Sequence, residues 1–341
     1  MLMHQKTPYN KDGFLANIGR ISILLCALLS AHTLTKAQDA ISGPPTTEMV
    51  FISDTQQPLW VETIIHKQNR NTAATADLFR EILQRKPQSI YMLGDVVGLG
   101  SKNKKWKNVD QFLDSCKGMG ACVSGLLGNH ELMGRRRKKG EANFTKRFPL
   151  SVRTGYVSVT DSVAVILLNS NFNALSKASR KKQQDWYEKT IAKLDETDSI
   201  RAVIVTCHHS PFSNSRVVKG STPVQQSFVP AYIQSKKAQL FIAGHAHAFE
   251  HFMVQGKDFL VIGGGGGIHQ RLSEGPKISA DLSGKYKPMF HYLTVQRMAE
   301  KLVVTSHYLK EDFSGFGAGH HFQTNTDGLA IKEPAPKNDL K

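Results

Sequence analysis

Residues 240–247 read LFIAGHAH: four apolar residues, a glycine, and two histidines two positions apart. The apolar run has the length of a buried strand. Its glycine permits a tight turn or a close backbone approach, and in extended chain residues i and i+2 face the same side. The same pattern recurs four times upstream. Residues 49–53 run into Asp54 and Gln56, and residues 90–93 into Gly94 and Asp95. Residues 123–127 run into Gly128, Asn129, His130 and Glu131, and residues 202–206 into Cys207, His208 and His209. Five buried-strand patterns therefore each end in groups able to bind a metal ion.

Helix-like stretches at 72–84 and 181–194 alternate with these strands, which argues for an α/β domain. In such sheets ligand sites gather at the carboxyl ends of strands, so the five polar ends should converge on one edge. Further strands are expected at 156–160, 163–169, 259–262, 292–295 and 301–307, with no helices between the later ones. They suggest a second sheet packed on the first, with helices outside. Carboxylate, amide and imidazole ligands together suit manganese, iron or zinc better than calcium or a thiolate-bound metal.

The remaining composition excludes several classes. The 341 residues are 40% apolar, with 27 glycines and 13 prolines, so the chain is neither disordered nor collagen-like. Its formal charge of +16 favours anionic partners without choosing among a phosphorylated molecule, nucleic acid and lipid. Lys6, Lys11 and Arg20 precede an apolar run at 21–31 and then Thr35-Lys36-Ala37. This reads as a secretory signal peptide at 1–37, with an uncleaved anchor disfavoured by the shortness of the run. The expected protein is thus exported, periplasmic or secreted, with no stable membrane span after cleavage. A catalytic domain at 38–323 and a polar tail at 324–341 would follow. Cys116, Cys122 and Cys207 would remain, an odd number allowing at most one internal disulfide. Cys116 and Cys122 close a small loop on one reading; on the other, Cys122 is a buried thiol.

The series Asp54, Gly94-Asp95, Gly128-Asn129-His130-Glu131, His209 and Gly244-His245-Ala246-His247 resembles the calcineurin-like metallophosphoesterase superfamily. Gln184-Asp185-Trp186, His209-Ser210-Pro211-Phe212 and Phe249-Glu250-His251 are similar to its purple-acid-phosphatase-like branches. The resemblance implies a four-layer α/β/β/α sandwich of two mixed sheets flanked by helices. It also implies two metal ions bridged by Asp95, one completed by Asp54 and His247 and the other by Asn129, His209 and His245. His130 would stabilise the transition state or protonate the leaving oxygen, and His208 would pack behind the ligands. At the first motif many members carry histidine where this chain has Gln56, which resembles the Asp-x-Gln of manganese-dependent ADP-ribose and CDP-alcohol diphosphatases. A purple site would also need tyrosine where Gly98 stands, so an iron–tyrosinate centre is not expected.

Basic clusters follow three of the motifs: Lys102, Lys104, Lys105 and Lys107; Arg135 to Lys139; and Lys177, Arg180, Lys181 and Lys182. As loops at the rim they would concentrate an anionic substrate, unless they are solvated charge runs. Trp106 is placed either to stack on a base or sugar or to be partly buried. The glycine run at 263–267 lacks a phosphate-cradling ending and reads as a turn near the site. His251 and His269 are near enough in sequence to join the pocket, with core or surface roles the favoured expectation. The expected function is an exported dinuclear-metal phosphoesterase acting on phosphate ester or pyrophosphate bonds. A polyanion- or nucleic-acid-binding module on the same fold, or a nuclease of the same chemistry, are the alternatives.

Overall fold

The computed structural model describes residues 47–65, 70–276, 278–298 and 301–325. The signal segment expected at 1–37 and nearly all of the expected tail lie outside the described residues. In chain order the elements are β1 (Met49–Ile52), α1 (Trp60–Ile65), α2 (Asn71–Arg85), β2 (Ser89–Met92), α3 (Lys107–Gly118), β3 (Cys122–Gly125) and α4 (Arg137–Arg147). Then come β4 (Tyr156–Thr160), β5 (Val163–Leu168), α5 (Lys177–Asp195), β6 (Ala202–His209), α6 (Thr222–Ser227), α7 (Val229–Gln234) and β7 (Ala238–Gly244). The last are β8 (Phe249–Val254), β9 (Lys257–Ile262), β10 (His291–Met298), β11 (Lys301–Leu309) and β12 (Phe316–Asn325).

One six-stranded sheet runs β12-β11-β10-β1-β2-β3 and the other β4-β5-β6-β7-β9-β8. In the first, β1, β2 and β3 are parallel and β10 joins β1 antiparallel. In the second, β5, β6, β7 and β9 are parallel, with β4 and β8 as antiparallel edges. Both sheets are mixed, as expected.

Strand alternation builds the layers. Met49 and Phe51 join Tyr91, Val163, Val165, Ile204 and Ile242 in a core between the sheets. Val50 and Ile52, facing the other way, pack with Ile90 and Met92 against Leu78 and Ile82 of α2 and Phe112 of α3. Ala164, Ile166, Val203 and Val205 pack in the same manner against Tyr187 of α5 and Tyr232 of α7. Strands covered on both faces are apolar throughout, which explains why they read as continuous runs. The result is four layers, helix, sheet, sheet, helix.

Several expectations need correction. The basic clusters are mostly helical: Asn103–Trp106 is a 3₁₀ turn leading into α3, Arg137–Lys139 open α4, and Lys177–Lys182 open α5. Their charge runs are exposed helix faces for the most part. Trp106 is fully buried, donating from Nε1 to the Gly100 carbonyl (2.9 Å), so it cannot stack on a substrate. Cys116 is the buried thiol, Cys122 is exposed, and neither forms a disulfide. β8 and β12 were not expected, and β12 carries regular structure to Asn325, into the stretch read as tail. No described helix is long and apolar enough to cross a membrane.

Candidate metal centre

The carboxyl ends of β1, β2, β3, β6 and β7 meet at one place. Asp54 and Asp95 lie two and three residues beyond their strands, while His208 and His209 are the last residues of β6. Backbone bonds knit these ends: Asp54 N to Gly94 O (3.1 Å), Gln56 N to Asp95 O (3.0 Å) and Gly267 N to Asp54 O (2.9 Å). Asp54, Asp95 and His245 hold positive φ angles of 59°, 47° and 70°. Non-glycine residues rarely adopt that backbone, and such strain clusters at functional sites.

Ligand atoms of Asp54, Asp95 and His208 lie within 4.8 Å of one another, as do those of His208, His209 and His245. The two groups share His208, so the candidate ligands form two adjoining groups. Asp95 Oδ1 accepts from the His130 backbone N–H (2.7 Å), and its Oδ2 is 3.2 Å from His208 Nε2 and 3.8 Å from His130 Nε2. Asp54 Oδ2 accepts from the His245 backbone N–H (2.9 Å). Its Oδ1 is buried without any hydrogen-bond partner, an arrangement that disfavours a bare carboxylate and suits a bound cation.

Backbone carbonyls set the imidazole tautomers. Nδ1 of His130, His208 and His247 is bonded to the carbonyls of Gly98 (3.0 Å), Leu93 (2.9 Å) and Ile268 (2.8 Å). Assigned from those partners, each Nδ1 carries the proton and each Nε2 is presented to the site. His209 Nδ1 lies 2.8 Å from Ser170 Oγ, and His208 Nε2 is 3.1 Å from Asn129 Oδ1. His245 is held by ring contacts, with centroids 4.4 Å from His209 and 5.1 Å from His208.

Gln56 is buried in the same place. Only one orientation of its amide satisfies both atoms: the nitrogen donates to the carbonyls of Asp95 (2.8 Å) and Asp54 (3.0 Å), and the oxygen lies 3.1 Å from His247 Nε2. Asp54 Oδ1 is 3.5 Å from that same nitrogen. Three lone-pair-bearing atoms facing one another need a proton or a cation between them.

Electrostatics fit that description. Burial opposes charge on His208, but the Asp95 and Asp54 carboxylates outweigh it and raise the group to about 10. Burial likewise opposes charge on His247, and Asp54 raises it. Burial and then the neighbouring His208 push His245 down to about 4 and hold His209 well below its usual range. Both aspartates stay below the usual carboxylate range despite burial, because imidazoles face them.

Glu131 organises the loops. Its Oε2 accepts from the backbone N–H groups of Asp95 (3.0 Å) and Gly128 (2.8 Å), its Oε1 from those of Val96 (2.8 Å) and Val97 (3.1 Å). Burial and the Asp95 charge push it up to about 7, against the pull of these amides. Glycines allow the close approach: a Cβ on Gly128 would lie 2.1 Å from Asp95 Oδ1, one on Gly244 2.3 Å from Asp54 Oδ2, and one on Gly267 2.4 Å from the His247 ring. The 263–267 run is indeed a turn at the site.

All the residues singled out from the sequence, Asp54, Gln56, Asp95, Asn129, His130, His209, His245 and His247, are thus brought together. His208 stands at the centre of both clusters rather than behind them. At Gly98 a Cβ would meet the Gln57 carbonyl at 2.6 Å, which leaves no room for a tyrosine there. His251 is buried away from the cluster, bonded to Asp258 and His320. Glu131 and Ser170 were missed as orienting groups. Glu131 had a sequence signal, a carboxylate beside buried Leu132; Ser170 had none.

The family described as calcineurin-like phosphoesterase matches residues 48–249, a span that holds every ligand candidate. No curated protein matches the chain. Among solved structures, a purple acid phosphatase from yellow lupin seeds is 14% identical with a TM-score of 0.58, over 81% of this chain and 53% of that one. The chain thus spans about half the length of that protein. A dimetal phosphatase from Danio rerio is 13% identical with a TM-score of 0.52, over 83% of this chain and 99% of that one. The anchor of the inner membrane complex of Plasmodium is 15% identical with a TM-score of 0.57, over 82% and 88%. At these identities the likeness is one of fold.

Proposed function

The chain belongs to the calcineurin-like phosphoesterase family, and on that footing we propose that it hydrolyses phosphate ester or pyrophosphate bonds of an anionic substrate with the help of two metal ions. The observation that carries this reading is the convergence of Asp54, Asp95, His208, His209 and His245 into two adjoining ligand groups. Asp95 would be shared between the two positions. Asp54, Gln56 and His247 would serve one, and Asn129, His209 and His245 the other, with His208 placed to contribute to either. Manganese, iron or zinc suits this oxygen and nitrogen set.

Two cations so held would supply an activated water and charge neutralisation at the phosphoryl group. The side chains do the rest. His130, its Nδ1 proton committed to Gly98, has Nε2 free to carry a proton to the leaving oxygen. Arg137, exposed beside Asn129 and His209, can grip a phosphate oxygen pair bidentately. A polyanion-binding module would call for a broken ligand set, and the one departure, Gln56, is turned toward His247. Export belongs to the same proposal, resting on the basic-then-apolar segment at 1–37; N-terminal sequencing of protein from the medium or periplasm checks it.

The functional test is turnover of p-nitrophenyl phosphate by protein stripped of metal and reloaded with manganese, zinc or iron. Metal-restored activity that is lost in folded Asp95→Ala protein is the expected result. Full activity in the Asp95→Ala protein would sink the mechanism.

A further inference from the structure

Two cavities lie near the ligand cluster, one lined by ligand candidates and the other by residues that follow His247 in the chain. One, of about 520 Å³, is walled by Asn129 and His209 themselves and extends over Phe172 and Asn173 to Arg137. The other has a volume of about 660 Å³. Ala248 and Phe249, the next residues after His247, form its wall. So does His269, which follows the Ile268 carbonyl that His247 Nδ1 bonds. Each volume is that of a small-molecule site. A substrate with one organic group would fill only one of them.

The larger cavity is built for a particular kind of group. Buried Phe249 and partly exposed Leu272 and Ile278 give it apolar surface. Arg216 and Arg271 stand together at its margin, joined by a bond from the Arg216 N–H to the Arg271 carbonyl (2.9 Å), and both are exposed. Arg216 Nε donates to the Leu272 carbonyl (3.0 Å), which ties the side chain to the cavity wall. The nearby Asp281 carboxylate is engaged by Lys287 and Ser283, and neither arginine has an ion pair among the described residues. Two exposed arginines on bonded backbone, neither ion-paired among the described residues, can accept an anion in a cavity that Glu274 and Asp281 also line.

We propose that the scissile phosphorus of the natural substrate bears an organic group on each side, as in a phosphodiester or a diphosphate diester. This rests on the phosphoesterase reading above. One group occupies the cavity at Asn129 and His209. The other occupies the cavity beyond His247, where its polar atoms, charged in a diphosphate diester, meet Arg216 and Arg271. Hydrolysis breaks one P–O bond, and the water oxygen takes the vacated place on phosphorus. A water proton ends on the leaving oxygen. A diester yields a phosphomonoester and an alcohol; a diphosphate diester yields two phosphomonoesters.

The test compares kcat/KM of the metal-reloaded protein for p-nitrophenyl phosphate, thymidine 5′-p-nitrophenyl phosphate and ADP-ribose. A preference of at least tenfold for either two-sided compound is expected, and which one leads separates diester from diphosphate. In Arg216→Ala/Arg271→Ala protein, the ratio of kcat/KM for the leading compound to that for the monoester should fall at least tenfold, through KM. Metal-restored turnover that favours the monoester overturns the inference and leaves the phosphoesterase reading standing. An unchanged ratio in the double variant overturns the role given to the second cavity. Silence on all three compounds with metal bound removes the phosphoesterase reading, and this inference with it.

Discussion

Replacing Glu131 with glutamine exchanges one carboxylate oxygen for an amide NH2 while keeping the shape. In the structure both oxygens are fully used, each accepting from two backbone N–H groups. Glutamine can serve two of those donors; the other two would face a donor. A buried donor left without an acceptor costs about 1–3 kcal/mol, so two of them cost about 2–6 kcal/mol. For a domain of this size that corresponds to a fall in Tm of roughly 4–24 °C. The damage falls on the backbone of Asp95 and Gly128 or on that of Val96 and Val97, in either case within the loops that carry Asp95, so metal retention should fall with stability. Differential scanning calorimetry and metal analysis of the Glu131→Gln protein read both. A melting temperature and metal content equal to wild type would refute the reasoning. They would mean that a protonated group serves the four amides equally well.

Gly128→Ala places a methyl group 2.1 Å from Asp95 Oδ1, so metal analysis should show the Asp95 position weakened or lost, at a destabilisation of about 1–3 kcal/mol. Gln56→Ala removes the oxygen beside His247 Nε2; chelator titration should show one ion leaving roughly 10–100 times more readily while the other is held. The metal-free protein should lose stability as pH rises from 6.5 to about 10. Folded His208 keeps its proton in that window and the unfolded chain does not. Below 6.5 that contribution is complete, while His245, pushed down to about 4, erodes stability as pH falls from 6.5 towards 4. Thermal melts without metal should therefore fall on the alkaline side of 6.5, and His208→Asn should flatten that side.

Much of this site was legible because buried parallel strands read as unbroken apolar runs, and the polar groups at their ends stand out against them. Asp54, Asp95, Asn129 and the His245–His247 pair were found in that way. The boundaries were harder. His208 and His209 continue β6, because a strand can end in polar residues when they line a site. Arg137 and its neighbours looked like a loop because α4 has few apolar positions, with Phe144 as its large buried side chain. The orienting carbonyls of Leu93, Gly98 and Ile268 left no trace in the sequence, since any residue supplies a carbonyl. Nor did the left-handed backbone of Asp54, Asp95 and His245, which the surrounding hydrogen bonds impose.

Hydrolysis as proposed requires that this cluster hold two metal ions. The decisive measurement is metal content per chain, by inductively coupled plasma mass spectrometry, for wild-type and Asp95→Ala proteins after reconstitution with manganese and removal of the excess. Two ions per wild-type chain, falling to one or none in the variant, is the predicted result. A folded wild-type chain that retains no metal, or a variant that retains both ions, would contradict it.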